Sequence, residues 1–216
     1  WFLGFLHRQS HRIPKLLPVA PAVIPVATLF ALFMSFLAAD VWTQERGAAA
    51  AASQEVAALV RLQQLVDPAA LNVPAGVPLL ASYRNAVSTQ EWGSNYNHVA
   101  SPDAALALRQ LRQLSVRLSR DGAPAPLVGQ WLKTVDDLED ARLRRLVIGS
   151  DNTDDHQWMV VVVLAFFAYI TIAAAHLDRP AAGRIAITLF ALATHFAFWL
   201  LVMHTNPYGG GYTRVA

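Results

Sequence analysis

Trp158–Leu177 reads WMVVVVLAFFAYITIAAAHL and Ile185–Met203 reads IAITLFALATHFAFWLLVM. Neither run holds a Lys, Arg, Asp or Glu, and each, as a helix, is long enough to cross a hydrocarbon core of ~30 Å. Between them Asp178, Arg179, Pro180, Gly183 and Arg184 supply charge and helix breakers, the composition of a turn at a membrane surface. The reading is a transmembrane helical hairpin over 158–204, and it decides the class of the chain.

A third span is expected over 16–42, charge-free until Asp40. Pro18, Pro21 and Pro25 crowd its first half. Because Pro removes a backbone donor and kinks a helix interior, the regular helix is expected to begin near Pro25. From Thr43 the residues become good helix formers without a break, so this helix should run on into water as one rod. Region 43–157 then reads as helices throughout. Leu80, Tyr83 and Val87 share a side; Ser101-Pro102-Asp103 is a helix start with an N-cap hydroxyl, Pro in the first turn and an acid at the positive end of the dipole. Leu108, Leu111, Leu114 and Leu118 form a stripe, and so do Leu127, Trp131, Val135, Leu138 and Leu146. Asp136, Asp137, Glu139, Asp140, Arg142, Arg144 and Arg145 read as a solvated, salt-bridged face, and Gly149–Asp155 as the break after this helix. The expected architecture is all-α: a polytopic helical membrane protein with an extramembrane helical bundle (43–157) inserted between transmembrane helices. A basic juxtamembrane segment (1–15) precedes it and a Gly-rich tail (205–216) follows.

Composition agrees with one membrane module plus one extramembrane region: 55% hydrophobic and 15% charged residues, with mean hydropathy +0.34. The absence of Cys excludes disulfides, thiolate metal sites and cysteine nucleophiles. A net charge of +2 gives no reason to expect nucleic acid as a partner. The start at Trp1 rather than Met and the stop after Ala216 read as a fragment. Arg8, Arg12, Lys15, Arg179 and Arg184 flank the spans on one side, while Asp40, Glu45, Asp151, Asp154 and Asp155 mark the other. The positive-inside rule then puts the first flank and the elbow in the cytoplasm and the bundle outside.

Trp42 and Trp158 are expected as interface anchors on one side of the bilayer. His195 is the one ionisable residue inside a span, and an interhelical hydrogen bond is its expected role, ahead of a ligand or proton relay. A step of ~100° per residue puts His195 and His204 on opposite faces of one helix, so they cannot share a metal. No Ser/His/Asp set, paired carboxylates or HExxH spacing appears, so neither an enzyme nor a cofactor or metal site is expected.

Tyr83, Val87, Glu91 and Trp92, then Arg142, Arg144 and Arg145, then Asn206-Pro207-Tyr208-Gly209-Gly210 after the hairpin, come in an order that resembles the bacterial bestrophin-like membrane proteins. The resemblance implies an oligomer in the bacterial inner membrane with an ion-conducting, anion-selective pore, since bestrophins are pentameric anion channels. Members have one further helix before the position of 16–42, which agrees with a fragment. No positions here match the bestrophin neck or calcium clasp. The alternative is a non-catalytic accessory or structural subunit of a larger membrane complex, for which plain apolar helices suffice. The expected partners are therefore the lipid bilayer and either further copies or other membrane subunits. A haem- or quinone-binding role for His195 is a third, weaker reading.

Overall fold

The computed structural model describes residues 19–93, 96–150 and 155–208. All of the regular structure among them is helical, in the order α1 (Val19–Val66), α2 (Gly76–Ala86), a π-helical turn (Val87–Gly93), α3 (Pro102–Arg120), α4 (Ala125–Ser150), α5 (Asp155–Ala175) and α6 (Pro180–His204). The chain divides into two compact units. One takes the chain up to Trp42 together with Thr153–Thr205, the other Thr43–Asn152 together with the chain from Asn206 onward.

In the first unit, α1, α5 and α6 are long and apolar enough to cross a membrane. The 21 residues of α5 make a helix of ~30 Å at 1.5 Å per residue. Leu37, Val41, Val161 and Leu201 fill the centre, with Phe30, Met34, Trp158 and Phe198 packed around them. Outward faces carry large apolar side chains such as Phe36, Phe166, Leu189, Leu192 and Phe196. Exposed apolar surface on this scale is a lipid- or subunit-facing surface.

Helix α1 is regular from Val19, with Pro25 inside it, so the expected start near Pro25 is corrected. A single Pro withdraws one i→i−4 donor and leaves the helix intact around it. The rod of 48 residues is as the run of helix formers predicts, since no breaker separates Trp42 from Thr43.

In the second unit, α1, α2, α3 and α4 bury Leu62, Tyr83, Leu111, Trp131, Val135 and Leu138 in one core. Trp131 Nε1 donates to the Leu111 carbonyl at 3.0 Å, so its polar edge is satisfied within the core. Ser101 caps α3 as predicted, accepting from the Ala104 amide at 3.1 Å. Gly122, at φ +78°, turns the chain out of α3, a conformation glycine adopts without a Cβ clash.

Helix α4 ends at Ser150 and α5 begins at Asp155, within the expected break, and Gly149 itself is still helical. It lies buried in the last turn, where a Cβ would stand 2.5 Å from the Asn97 carbonyl oxygen and 2.8 Å from the Asn97 Cβ. Glycine is there for close approach. Gly149→Ala should therefore destabilise the bundle by roughly 1–3 kcal/mol, the cost of overpacking against backbone. A urea titration of the variant in detergent checks it, and an unchanged midpoint would refute the close approach.

Candidate functional site

Four charged side chains are buried together in the second unit: Glu55 from α1, Glu91 from the π-helical turn, and Arg142 and Arg145 from α4. Burying charge is tolerated only where it is paired and hydrogen-bonded, and this set is closed in that way. Arg145 donates from Nε to Glu55 Oε2 at 2.5 Å, and from Nη2 to Glu55 Oε1 at 3.1 Å and to Glu91 Oε2 at 2.7 Å. Its Nη1 donates to Asn97 Oδ1. Arg142 donates to Glu91 Oε1 from Nε at 3.0 Å and from Nη2 at 2.5 Å, and to the Ser101 carbonyl at 3.0 Å. Glu91 Oε1 also accepts the Ser101 amide at 2.9 Å, and Glu55 Oε1 the Tyr83 hydroxyl at 2.7 Å. Two carboxylates and two guanidinium groups leave the node formally neutral.

Local sequence explains how Glu91 reaches it. Ser88 and Thr89 hydroxyls both donate to the Asn85 carbonyl, at 3.0 and 2.7 Å. Hydroxyls that compete for a backbone acceptor loosen the regular ladder, and the wider π turn follows. Past it, the Asn97 amide donates to the Glu91 carbonyl at 2.7 Å. Tyr96 and Asn97 take positive φ of 45° and 64°, a region Asn enters more readily than most residues.

Burial works against the Arg145 charge, but hydrogen bonds and the negative charge of Glu55 and Glu91 outweigh it and hold the guanidinium above its ordinary pKa. The Tyr83 phenol is raised well above its usual value, first by burial and then by Glu55. Tyr208 is pushed up to about 12 by burial, with Glu55 reinforcing and Arg145 opposing. For both tyrosines the folded state keeps its proton where the unfolded chain loses it. Their contribution to stability is thus complete below pH ~10 and lost as pH rises through the folded values. An alkaline titration read by tyrosinate absorbance should show Tyr208 ionising late, towards pH 12. Tyr208→Phe should lower the late amplitude by one tyrosine, leaving the share of Tyr83, which is also raised; an undiminished amplitude would assign the step elsewhere.

Several of the motif residues singled out in the sequence meet here, while Arg144 is exposed beside Gln54 at 3.4 Å and Val87 lies in the apolar core. The Trp92 ring lies under Arg145, whose Cζ is 5.4 Å from the ring centroid, and it meets the Tyr208 ring edge-on at 5.2 Å. Asn206 Oδ1 accepts the Tyr208 amide at 3.2 Å, closing a turn over Pro207. Gly209 and the basic segment 1–15 lie outside the described residues, as do Asp151 and Asp154. The solvated face expected on α4 needs correction. Asp136 and Glu139 do pair with Arg112 at the surface, at 2.5 and 2.7 Å. Arg142 and Arg145 instead turn inward, because the core-facing seam of α4 continues through them.

His195 is exposed on α6, and its Nδ1 donates to the Ala191 carbonyl one turn back at 2.7 Å. Where an interhelical bond is expected, the Nδ1 bond is made inside its own helix. His176 and His204 do the same with Ile172 and Leu200. Trp42 is exposed on α1, while Trp158 is half-buried against Phe198 at 5.9 Å. No group of three or more His, Asp or Glu side chains suited to a metal occurs among the described residues.

Three apolar helices able to span a bilayer, joined to a helical bundle centred on an ionic node, define an integral membrane protein. The Bestrophin-like domain matches residues 7–213, and the chain belongs to the bestrophin-like family. No curated protein and no solved structure matches it.

Proposed function

We propose that the protein is a homo-oligomeric, ion-conducting member of this family in a bacterial inner membrane, with anions as the conducted class. The family match over residues 7–213 carries this reading. The membrane helices support the oligomer. Leu37, Val41, Val161 and Leu201 occupy the space between them, so a conduit has to be built between copies. On α1, Thr28 and Ser35 are exposed one heptad apart, each hydroxyl satisfied by its own helix, through Ile24 and Ala31. Ile24, Leu32 and Trp42 are exposed at helical spacing from them, so these two hydroxyls are polar points on an otherwise apolar face.

The Tyr208–Trp92 contact supports the multi-pass topology. It holds Tyr208, just past α6, against the bundle that also contains α4, so on this reading the bundle and the end of α6 share one side of the bilayer. An even number of crossings must then separate them, as α5 and α6 together provide. With Arg179 and Arg184 in the elbow, the positive-inside rule puts the elbow in the cytoplasm and the bundle outside.

Native mass spectrometry of the gently extracted protein, followed by conductance recording in planar bilayers, tests the reading. A homo-oligomer with anion currents is expected. Since the chain has no Cys, Ser35→Cys gives a clean background for an anionic thiol reagent, which should block current. One or two copies alongside different chains would favour an accessory subunit, for which the broad apolar faces of α5 and α6 also suffice.

A further inference from the structure

We propose that Asn206–Tyr208 is a releasable strap that closes over Trp92 and ties the chain leaving α6 to the four-charge node.

Each chain segment that connects the bundle to a span contributes to one side-chain cluster. Glu55 lies on α1 beyond the Trp42 end of the span, Arg142 and Arg145 lie on α4 before α5 begins, and Tyr208 follows the last residue of α6. Tyr208 is 5% exposed, and its ring contact is made on Trp92, whose face is covered by the Arg145 guanidinium. Displacing Tyr208 would uncover the indole and open one side of the node to water. Water weakens every charge interaction it reaches by raising the local dielectric.

The hold is weaker than the site permits. Among the described residues the buried Tyr208 hydroxyl has no hydrogen-bond partner, and a buried orphan hydroxyl disfavours the docked state. A phenylalanine would present the same ring without that penalty. Nor does a nearby carboxylate rescue the hydroxyl: Glu55 takes the Tyr83 hydroxyl and Arg145, and Glu91 takes Arg142, Arg145 and the Ser101 amide. A docked aromatic carrying an unmet polar group is suited to leaving.

Hydrogen exchange of the full chain in lipid nanodiscs, read at the Asn97 amide and the π-helical turn, tests the strap. The Asn97 amide is a direct reporter because it is bonded to the Glu91 carbonyl. Tyr208→Phe should slow exchange there by about tenfold, because the docked state loses its orphan. Tyr208→Ala should speed it by at least as much. Exchange unchanged in Tyr208→Ala would mean that the segment has no hold on the node. Faster exchange in Tyr208→Phe would mean that the hydroxyl is bonded in solution, to a water or another small acceptor, and the segment is then a fixed part of the site. Either result overturns the proposal.

Discussion

Arg145→Met should destabilise the bundle by about 3–5 kcal/mol, the cost of leaving buried charge uncompensated. Arg145 is fully buried and joins both carboxylates, with two bonds to Glu55 and one to Glu91. Without it, Glu55 keeps only the Tyr83 hydroxyl among these partners, and the remaining three charges sum to −1 in a site closed to water. Met fills much of the volume, so the loss reports charge rather than a cavity. Arg145→Lys should not restore it, because an ammonium is a point charge and cannot reproduce the fork that spans Glu55, Glu91 and Asn97. The surface pairs provide the internal control. Arg112→Ala, which breaks bonds to Asp136 and Glu139 at the exposed rim, should cost no more than about 1 kcal/mol. Urea midpoints of the three variants decide it: equal losses for Arg145→Met and Arg112→Ala would mean that water reaches the node.

The helices were legible because their signals are local. Uncharged runs gave the spans, and Ser101-Pro102-Asp103 gave the start of α3 to the residue. The node is less legible, although half of its signal is present in the sequence. On α4 the buried positions Trp131, Val135, Leu138, Arg142, Arg145 and Gly149 repeat at steps of three and four, so the core seam itself predicts Arg142 and Arg145 inside and Arg144 outside. On α1, Glu55 falls in the same way among Ala48, Ala51, Ala58 and Leu62, all buried. An acid on one apolar seam and two bases on another are the mark of a buried pair, whereas counting charges along the chain makes them a solvated face. Glu91 and Asn97 were harder. Glu91 is brought in by a π turn whose cause is hydroxyl competition at Asn85, and Asn97 sits in a loop at positive φ, where no periodicity applies. In the sequence Tyr208 is only a motif letter; its meaning lies in a contact with Trp92, far away in sequence.

Glu91→Ala should be the other most damaging change, costing about 3–5 kcal/mol, and should exceed Glu55→Ala. Glu91 accepts from Arg142 Nε and Nη2, Arg145 Nη2 and the Ser101 amide, whereas Glu55 accepts from Tyr83 and twice from Arg145. The Ser101 amide matters beyond its own bond, since Ser101 caps α3. Losing Glu91 therefore loosens a helix start as well as two guanidinium groups. Glu91→Gln should give little relief, because its NH₂ would point a donor at donors. If Glu91 and Arg142 act as one unit, the double variant Glu91→Ala/Arg142→Ala should lose less than the sum of the singles, by about 1 kcal/mol or more. The double variant removes charges of opposite sign and leaves Glu55 with Arg145, again a neutral pair, so the cycle separates the cost of unbalanced charge from the cost of lost packing. Additive losses would mean that the two side chains act independently, and their close contact would then add no coupling to the node.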